Sequence, residues 1–555
     1  MPQLTLPDLL RRAAAEQPLL GIHYVQEDCS IQTQTYPELL KQATALACGL
    51  LSMGLKAGDK AIIATDNNRE TITLLWGCFL AGIIPTILQP AVSFTDHNPS
   101  ATKLLNIFSQ LENPFFFTSQ AATEKHETIA ARVVPYASIP LIEGEISFEP
   151  APDDLAFIQF SSGSTGDPKG IMLTHRNIAC NMDSISKGLD HQTYDPVGNW
   201  MPLYHDMGLI GYHLTPMCRP SSQYHIHTID YIKNPALWPE MMSRYKISIT
   251  GCPNFGQELL IRYLKRRPDG HAWDLSPMKA ILNGAEPISI KVMSEFNRVL
   301  KPFGFREEAM MPVYGMAEAT LAISFTPLMQ PSVVTTFDSA EMDKNQKAVK
   351  IKSTHAGKHG RTITGVGIAL QSVEIRITDN NDEPLEESCV GHIQVKGNAV
   401  TQGYYMKPEK NLDLFCGEWL RTGDMGFIYE GILYISGRYK DIIFVNGKNY
   451  FANDLETLAC SLETISYGKV IIGGVTDFKT GKEKVLVFVA AISDAKAPEI
   501  LEQLRALMRK ELGIPIDELI VIKSNEIPKT SSGKIQRYKV IHRYLQGDFG
   551  NSGFK

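Results

Sequence analysis

The 555-residue chain has no apolar run long enough to span a bilayer, and it does not open on a cleavable secretory leader. The expectation is a cytoplasmic protein without an integral membrane segment. Positive charge is not in surplus: 54 Lys and Arg against 60 Asp and Glu leave a formal charge of −6. Such a balance offers phosphate backbones no general attraction, so nucleic acid is not an expected partner. The nine cysteines are odd in number, run from Cys29 to Cys460 and contain no CxxC pair, which argues against a disulfide framework and a zinc ribbon. His225 and His227 flank one residue, as ligands on one strand face would, but no Cys, Asp or Glu stands close by, and they read as structural. No GxSxG elbow is present, so the neighbouring His205 and Asp206 do not point to a serine hydrolase. Repeats and low-complexity tracts are missing too.

What is present begins with FIQFSSGSTGDPKGIMLTHRNI at 157–178, an apolar strand, a Ser/Thr/Gly loop and a lysine ahead of a predicted helix. Hydroxyls of Ser161, Ser162, Ser164 and Thr165 can donate to phosphate oxygens. Gly163, Gly166 and Gly170 let backbone N–H groups close on an anion, and Lys169 adds a point charge. The run satisfies neither the Walker A spacing nor a GxGxxG fingerprint. A nucleotide triphosphate suits it, although a Ser/Gly-rich turn can equally be a linker.

Length predicts at least two domains, and 44% hydrophobic with 21% charged residues is the composition of a soluble globular protein. Strand, helix and strand patterns at 60–64, 70–82 and 83–88 form a βαβ unit. Further strands are predicted at 157–160, 247–250 and 280–282, giving a parallel sheet flanked by helices, with ligand loops at strand C-termini. After Gly365 short strand-like runs indicate a β-rich subdomain. From 436–440 onward the chain carries its own α+β pattern, with strands at 485–491 and 519–522 around a helix at 498–512. The alternation of Val349 and Ile351 with Lys350 and Lys352 predicts a short strand or hairpin, and the amphipathic opening at 1–20 is read as a helix packed on the first domain.

The run at 157–178 is similar, almost letter for letter, to the phosphate loop of the acyl-adenylate-forming superfamily, the AMP-binding enzymes. NGAEP at 283–287, VYGMAEAT at 313–320, RTGDMG at 421–426, SGRYKDII at 436–443 and PKTSSGKIQR at 528–537 follow in that family's order. The resemblance covers nearly the whole chain. It implies an α/β fold: a large N-terminal domain, 1–436, with mixed and parallel sheets and a β-rich subdomain, and a small mobile α+β C-terminal domain, 437–555. It implies ATP and Mg²⁺ as cofactors.

Residue by residue, the resemblance assigns the β- and γ-phosphates to Ser162, Gly163, Ser164, Thr165, Gly166 and Lys169. Mg²⁺ goes to Glu318. The adenine pocket goes to Gly284, Ala285 and Glu286 and to Tyr314, Gly315, Met316 and Ala317, with the Tyr314 ring stacked on the base. The ribose hydroxyls go to Asp424, which accepts both, and Arg438 corresponds to a second ribose-side or phosphate-side residue. Lys440 corresponds to the hinge. Lys534 corresponds to the catalytic lysine that bridges the carboxylate and the α-phosphate, and Thr165 and Glu318 share its catalytic site. His205 and Asp206, with Cys252 and Asn254 on the opposite wall, correspond to the acyl channel.

The connection after YGMAEAT is long, with an insertion around 330–364 where acyl-CoA synthetases cross directly. It resembles the fatty acyl-AMP ligase branch, in which such an insert restrains domain rotation and disfavours CoA. The implied reaction activates a medium- or long-chain fatty acid as acyl-AMP with release of pyrophosphate. The acyl group then passes to the phosphopantetheine thiol of an acyl carrier protein, or of a polyketide or nonribosomal-peptide carrier domain. A long-chain acyl-CoA synthetase is the nearest alternative, and a non-catalytic nucleotide-binding scaffold is one of another class. Lys344, Lys347, Lys350, Lys352 and Lys358 make the insert basic, as a surface meeting an acidic carrier would be.

Overall fold

The computed structural model describes residues 4–90, 99–119, 129, 132–161, 168–352, 360–445, 448–477, 482–490, 492–529, 535–549 and 553–554. Its largest sheet has nine strands. Gly21–Val25, Gln223–Ile226, Val197–Asn199, Ile249–Gly251, Ala280–Asn283 and Met310–Gly315 lie parallel, in that spatial order. Antiparallel strands close both sides: Ile31–Thr35 at one, Ala322–Phe325 and Ile368–Ala369 at the other. The central strands end at one side of the sheet, so the loops after Gly251, Asn283 and Gly315 gather there, as in other parallel α/β sheets.

The expected βαβ unit forms within a second, four-stranded parallel sheet: Lys60–Ala64 pairs with Ile84–Ile87 on one side and Phe115–Thr118 on the other. Helix Asn68–Ala81 between them starts where the Asn67 side chain accepts from the backbone of Arg69 and Glu70. It stops at Gly82, whose φ of 71° is a left-handed cap that a Cβ would strain. Strand Leu155–Ser161 departs from expectation. It joins no parallel sheet and pairs antiparallel with Lys169–Thr174, so Lys169 stands on a strand, and the helix begins only at His175.

The β-rich unit is a five-stranded sheet of Glu374–Thr378, Gly391–Lys396, Phe415–Cys416, Trp419–Tyr429 and Ile432–Arg438. The expected division at 436/437 falls inside that last strand. Beyond it, strands Val470–Asp477, Lys482–Ala490 and Glu518–Ile522 and helices Ala452–Ala459 and Ala497–Leu512 bury apolar clusters of their own. The opening helix Leu6–Glu16 packs as expected, with Leu6, Leu9, Leu10 and Ala13 buried. Among the described residues, no helix is long and apolar enough to cross a membrane.

The insertion is a folded element. Strands Val334–Asp338 and Gly360–Thr364 pair antiparallel around helix Ser339–Asn345, and the 349–352 stretch contributes a single bridge, Phe337 to Lys350. Phe337 is buried against Phe427, Tyr429 and Tyr434 of the β-rich sheet. Aromatic pairs of this kind add roughly 0.5–1.5 kcal/mol beyond their buried area, so the insert is fixed to its sheet. Lys344, Lys347, Lys350 and Lys352 are exposed on it; Lys358 lies outside the described residues.

Candidate active site

The loops at the strand ends border a cavity of about 1800 Å³ whose far wall includes Arg438, Lys440, Lys469 and Gln536. The YGMAEAT turn shapes its centre. A bulge interrupts the pairing at Tyr314 and Gly315, and a Cβ on Gly315 would stand within 2 Å of the Leu321 carbonyl oxygen, so only glycine fits. Thr320 sits at φ 66°, ψ −63°, a conformation that a β-branched residue adopts only when held. Its hydroxyl donates to the Ala399 carbonyl at 2.6 Å, and the Thr401 N–H donates to the Glu318 carbonyl at 2.9 Å.

That strained turn presents Glu318 to the cavity. The Tyr404 hydroxyl donates to Glu318 Oε1 at 2.8 Å, and the Lys169 ammonium lies 4.6 Å from the Tyr404 ring centroid, a cation–π contact. Burial lowers the pKa of Lys169, with Glu318 working the other way. Burial, and then Glu318, raises that of Tyr404. A carboxylate, a phenol and an ammonium from three distant segments therefore meet at one end of the site.

At the other end, Asp424 accepts from the Tyr314 hydroxyl at 2.7 Å and lies 3.3 Å from Arg438 Nε. Burial and the Asp424 charge both hold the Tyr314 phenol protonated, and Asp424 holds the guanidinium of Arg438 charged. Lys440 follows in a 3₁₀ turn, Tyr439–Asp441, between strands Ile432–Arg438 and Ile442–Val445.

Met316, Ala317, Ala285 and Glu286 also border the cavity. Ala285, like Thr320, is a non-glycine residue at positive φ, here 69°. Glu286 accepts from the Phe255 N–H at 2.8 Å and from the Tyr467 hydroxyl at 3.4 Å, which ties the NGAEP loop to the C-terminal part of the chain. Gly284 stands behind this loop, against Val313, and is not part of the lining.

His205 and Asp206 reach the cavity, His205 Nδ1 lying 2.8 Å from Asp206 Oδ1. Their expected partners do not. Cys252 is fully buried, and burial raises its thiol pKa well above the ordinary range. Asn254 is buried as well, donating to the Pro287 carbonyl at 2.7 Å and accepting from the Ser289 N–H at 3.1 Å. Both are corrected from channel lining to scaffold; Phe255 and Leu259 of the same segment line the cavity instead. His225 is buried and bonded to Asn199 and Gln223, as a structural histidine should be. Ser162, Gly163, Ser164, Thr165, Gly166 and Lys534 lie outside the described residues.

Sequence reasoning missed Tyr404 and Arg537. Arg537 is largely but not fully buried, with its guanidinium 2.8 Å from Glu456 Oε2, paired with Asp441 and donating to Asn453 at 2.7 Å. Burial opposes its charge, but Glu456 and Asp441 outweigh that and raise its pKa. Among the described residues no three His, Cys, Asp or Glu side chains gather as a metal cage. Glu318 is the carboxylate of the Lys169 end, and a lone hard oxygen donor fits Mg²⁺, which takes one or two carboxylates and fills its octahedron with substrate oxygens and water.

Residues 10–405 match the family model described as AMP-binding enzyme, and 440–552 match the one described as Disco-interacting protein 2-like, AMP domain. The medium-chain-fatty-acid–acyl-carrier-protein ligase TtuA of Teredinibacter turnerae is 32% identical over 73% of this chain and 65% of its own length. A putative acyl-CoA synthetase of Caulobacter vibrioides is 28% identical over 99% of this chain and 96% of its own. Among solved structures, one from studies of fatty acyl-adenylate ligases of E. coli and L. pneumophila is 29% identical, covers 98% of both chains and aligns with a TM-score of 0.89.

Proposed function

The chain belongs to the AMP-binding enzyme family, and from that premise we propose that it is a fatty acyl-AMP ligase serving a carrier protein. The observation that carries this reading is one cavity that holds an anion-handling cluster of Lys169, Tyr404 and Glu318, a carboxylate–arginine pair at Asp424 and Arg438, and apolar lining that includes Ile185, Leu189 and Phe325. A carboxylate oxygen of the fatty acid attacks the α-phosphorus of ATP, and the bond to the β-phosphate bridging oxygen breaks to release pyrophosphate. Lys169 and the loop 162–166 hold the β- and γ-phosphates, and Lys534 bridges the two anions that must meet. Glu318 would hold Mg²⁺, which supplies charge neutralisation at the phosphates when bound. Asp424 accepts from the ribose hydroxyls, a task that suits an ionised acceptor already fixed by Tyr314. In the second step the phosphopantetheine thiolate attacks the acyl carbonyl and AMP leaves.

Two domains, divided at the Tyr439–Asp441 turn with Lys440 as pivot, would separate these half-reactions. The insert supports the ligase branch because it reaches across that division. Arg361 Nη2 lies 3.2 Å from Asp343 Oδ1 in the insert, while its Nε lies 3.2 Å from Asp454 Oδ2 on helix Ala452–Ala459. Arg361→Ala is expected to leave acyl-AMP formation intact and to raise acyl-CoA formation several-fold, since a pair with one partner over a third exposed contributes about 1 kcal/mol at most. Acyl-CoA measured by mass against acyl-AMP checks it.

The function itself is tested by incubating the protein with ATP, Mg²⁺ and fatty acids from laurate to palmitate, adding either CoA or a phosphopantetheinylated carrier protein, and identifying products by mass. Acyl-AMP that moves to the carrier and not to CoA is expected. Efficient acyl-CoA formation would return the chain to the CoA synthetases.

A further inference from the structure

After Asp206 the chain forms a π-helix, Met207–Leu214, closed by Thr215: its backbone N–H reaches the Ile210 carbonyl, to which its hydroxyl also donates at 2.7 Å. π-Helical turns are rare and persist where surroundings enforce them, frequently at functional sites. Here its residues have different environments. Met207, Gly211 and Tyr212 border the cavity. His213 is fully buried, bonded to Trp76 of helix Asn68–Ala81 and to Gln223 of strand Gln223–Ile226.

Its bonding there is fully determined. Trp76 Nε1 can only donate, so His213 Nε2 accepts at 2.9 Å, the ring proton sits on Nδ1, and Nδ1 donates to Gln223 Oε1 at 2.9 Å. The Gln223 amide donates in turn to the His213 carbonyl at 3.1 Å and to the Tyr36 hydroxyl oxygen at 3.2 Å, and Tyr36 donates to the Ser221 carbonyl. Burial takes the pKa of His213 down to about 4, which keeps the ring in the neutral state this bonding needs. Both the ring and the carbonyl of one residue are thus pinned, which fixes the rotation of the helix about its axis. The residue two positions earlier, Gly211, is held toward the cavity. A Cβ there would lie 3.3 Å from Leu321 Cδ2 and 3.9 Å from Met207 Cγ, so a branched side chain would press on Leu321 and take up room in the cavity that Gly211 and Leu321 both border.

We propose that this π-helix is the wall that sets acyl chain length, with Gly211 as specificity-determining residue and His213 as the positioning residue that keeps the glycine facing the channel. The inference rests on the fatty-acid reading above. Pyrophosphate release is measured with acids from hexanoate to palmitate for the wild type, Gly211→Val, His213→Leu and His213→Gln, with the thermal midpoint of each. Gly211→Val is expected to lower kcat/KM for palmitate relative to hexanoate by about ten- to two-hundredfold, the range that one misplaced methylene produces in an apolar pocket. His213→Leu is expected to raise KM for palmitate about tenfold while kcat with hexanoate holds, the signature of lost binding rather than lost chemistry. His213→Gln, which can still accept from Trp76 and donate to Gln223, should recover the wild-type profile.

An unchanged length profile in Gly211→Val overturns the inference. So does a His213→Leu variant whose losses are the same for every acid and follow its thermal midpoint. If His213→Leu does not fold, Gly211→Val decides. A wild type that adenylates no fatty acid defeats the fatty-acid reading and this inference together, whereas wild-type turnover with length-blind variants defeats this inference alone.

Discussion

Lys534→Ala is expected to lower pyrophosphate release with a fatty acid about a hundred- to a thousandfold, the scale of removing one charge-stabilising donor from a preorganised site. The fatty carboxylate and the α-phosphate are both anionic, and their approach is opposed until a cation stands between them. Lys169 does not supply that cation, since it stands at the Tyr404 and Glu318 end. Flanking Lys534 in sequence, Lys529 and Ile535 pair with each other across an isolated bridge, the Gln536 N–H donates to the Pro528 carbonyl at 2.8 Å, and Lys529, Ile535 and Gln536 all border the cavity. Because the effect is confined to the step in which charge develops, nucleotide affinity should survive. Titration of ATP into the variant, followed calorimetrically, is expected to give a dissociation constant within a few-fold of wild type. Near-normal pyrophosphate release would rule out the role.

The lining of this cavity was legible where it lies in contiguous runs. Glu318, Asp424, Arg438 and Lys440 each stand inside a motif, and the structure brings all four to one cavity. The pairings around them were not legible: nothing local marks Tyr404, and Arg537, although it closes the run at 528–537, carries no sign of the residue it meets. Tyr404 reaches Glu318 across 86 residues, and Arg537 reaches Asp441 across 96. Long-range pairing of this kind is set by how the β-rich sheet and the C-terminal unit fold back, not by spacing. Cys252 and Asn254 show a different limit. Of the run ITGCPNF only Phe255 borders the cavity, because a strand-to-helix turn points successive side chains in different directions, and Cys252 and Asn254 point inward to hold Gly256, Pro287 and Ser289. Strand direction was equally hidden at Leu155–Ser161, since an apolar run reads the same whether its neighbour is parallel or antiparallel.

Glu318→Gln should produce the other large loss, again about a hundred- to a thousandfold in kcat. The substitution is nearly isosteric, and the Tyr404 hydroxyl, 2.8 Å from Glu318 Oε1, can donate to an amide oxygen as well as to a carboxylate. The strained turn is held by the Thr320 hydroxyl and the Glu318 main chain rather than by its side chain, so the thermal midpoint should change little. What disappears is a negative hard-oxygen donor, and an amide is a poor substitute for Mg²⁺. The loss should therefore depend on the metal: Glu318→Asp, which keeps the charge on a shorter stem, is expected to recover activity as Mg²⁺ is raised, and Glu318→Gln is not. Tyr404→Phe separates the two roles of the contact, because it removes the hydrogen bond and leaves the carboxylate in place. If Tyr404→Phe proved as damaging as Glu318→Gln at every Mg²⁺ concentration, the carboxylate would be acting through its phenol partner and the metal would have to be held elsewhere. A Tyr404→Phe loss of under about tenfold, the scale of one hydrogen bond, beside a metal-dependent Glu318→Asp, would place the metal on Glu318.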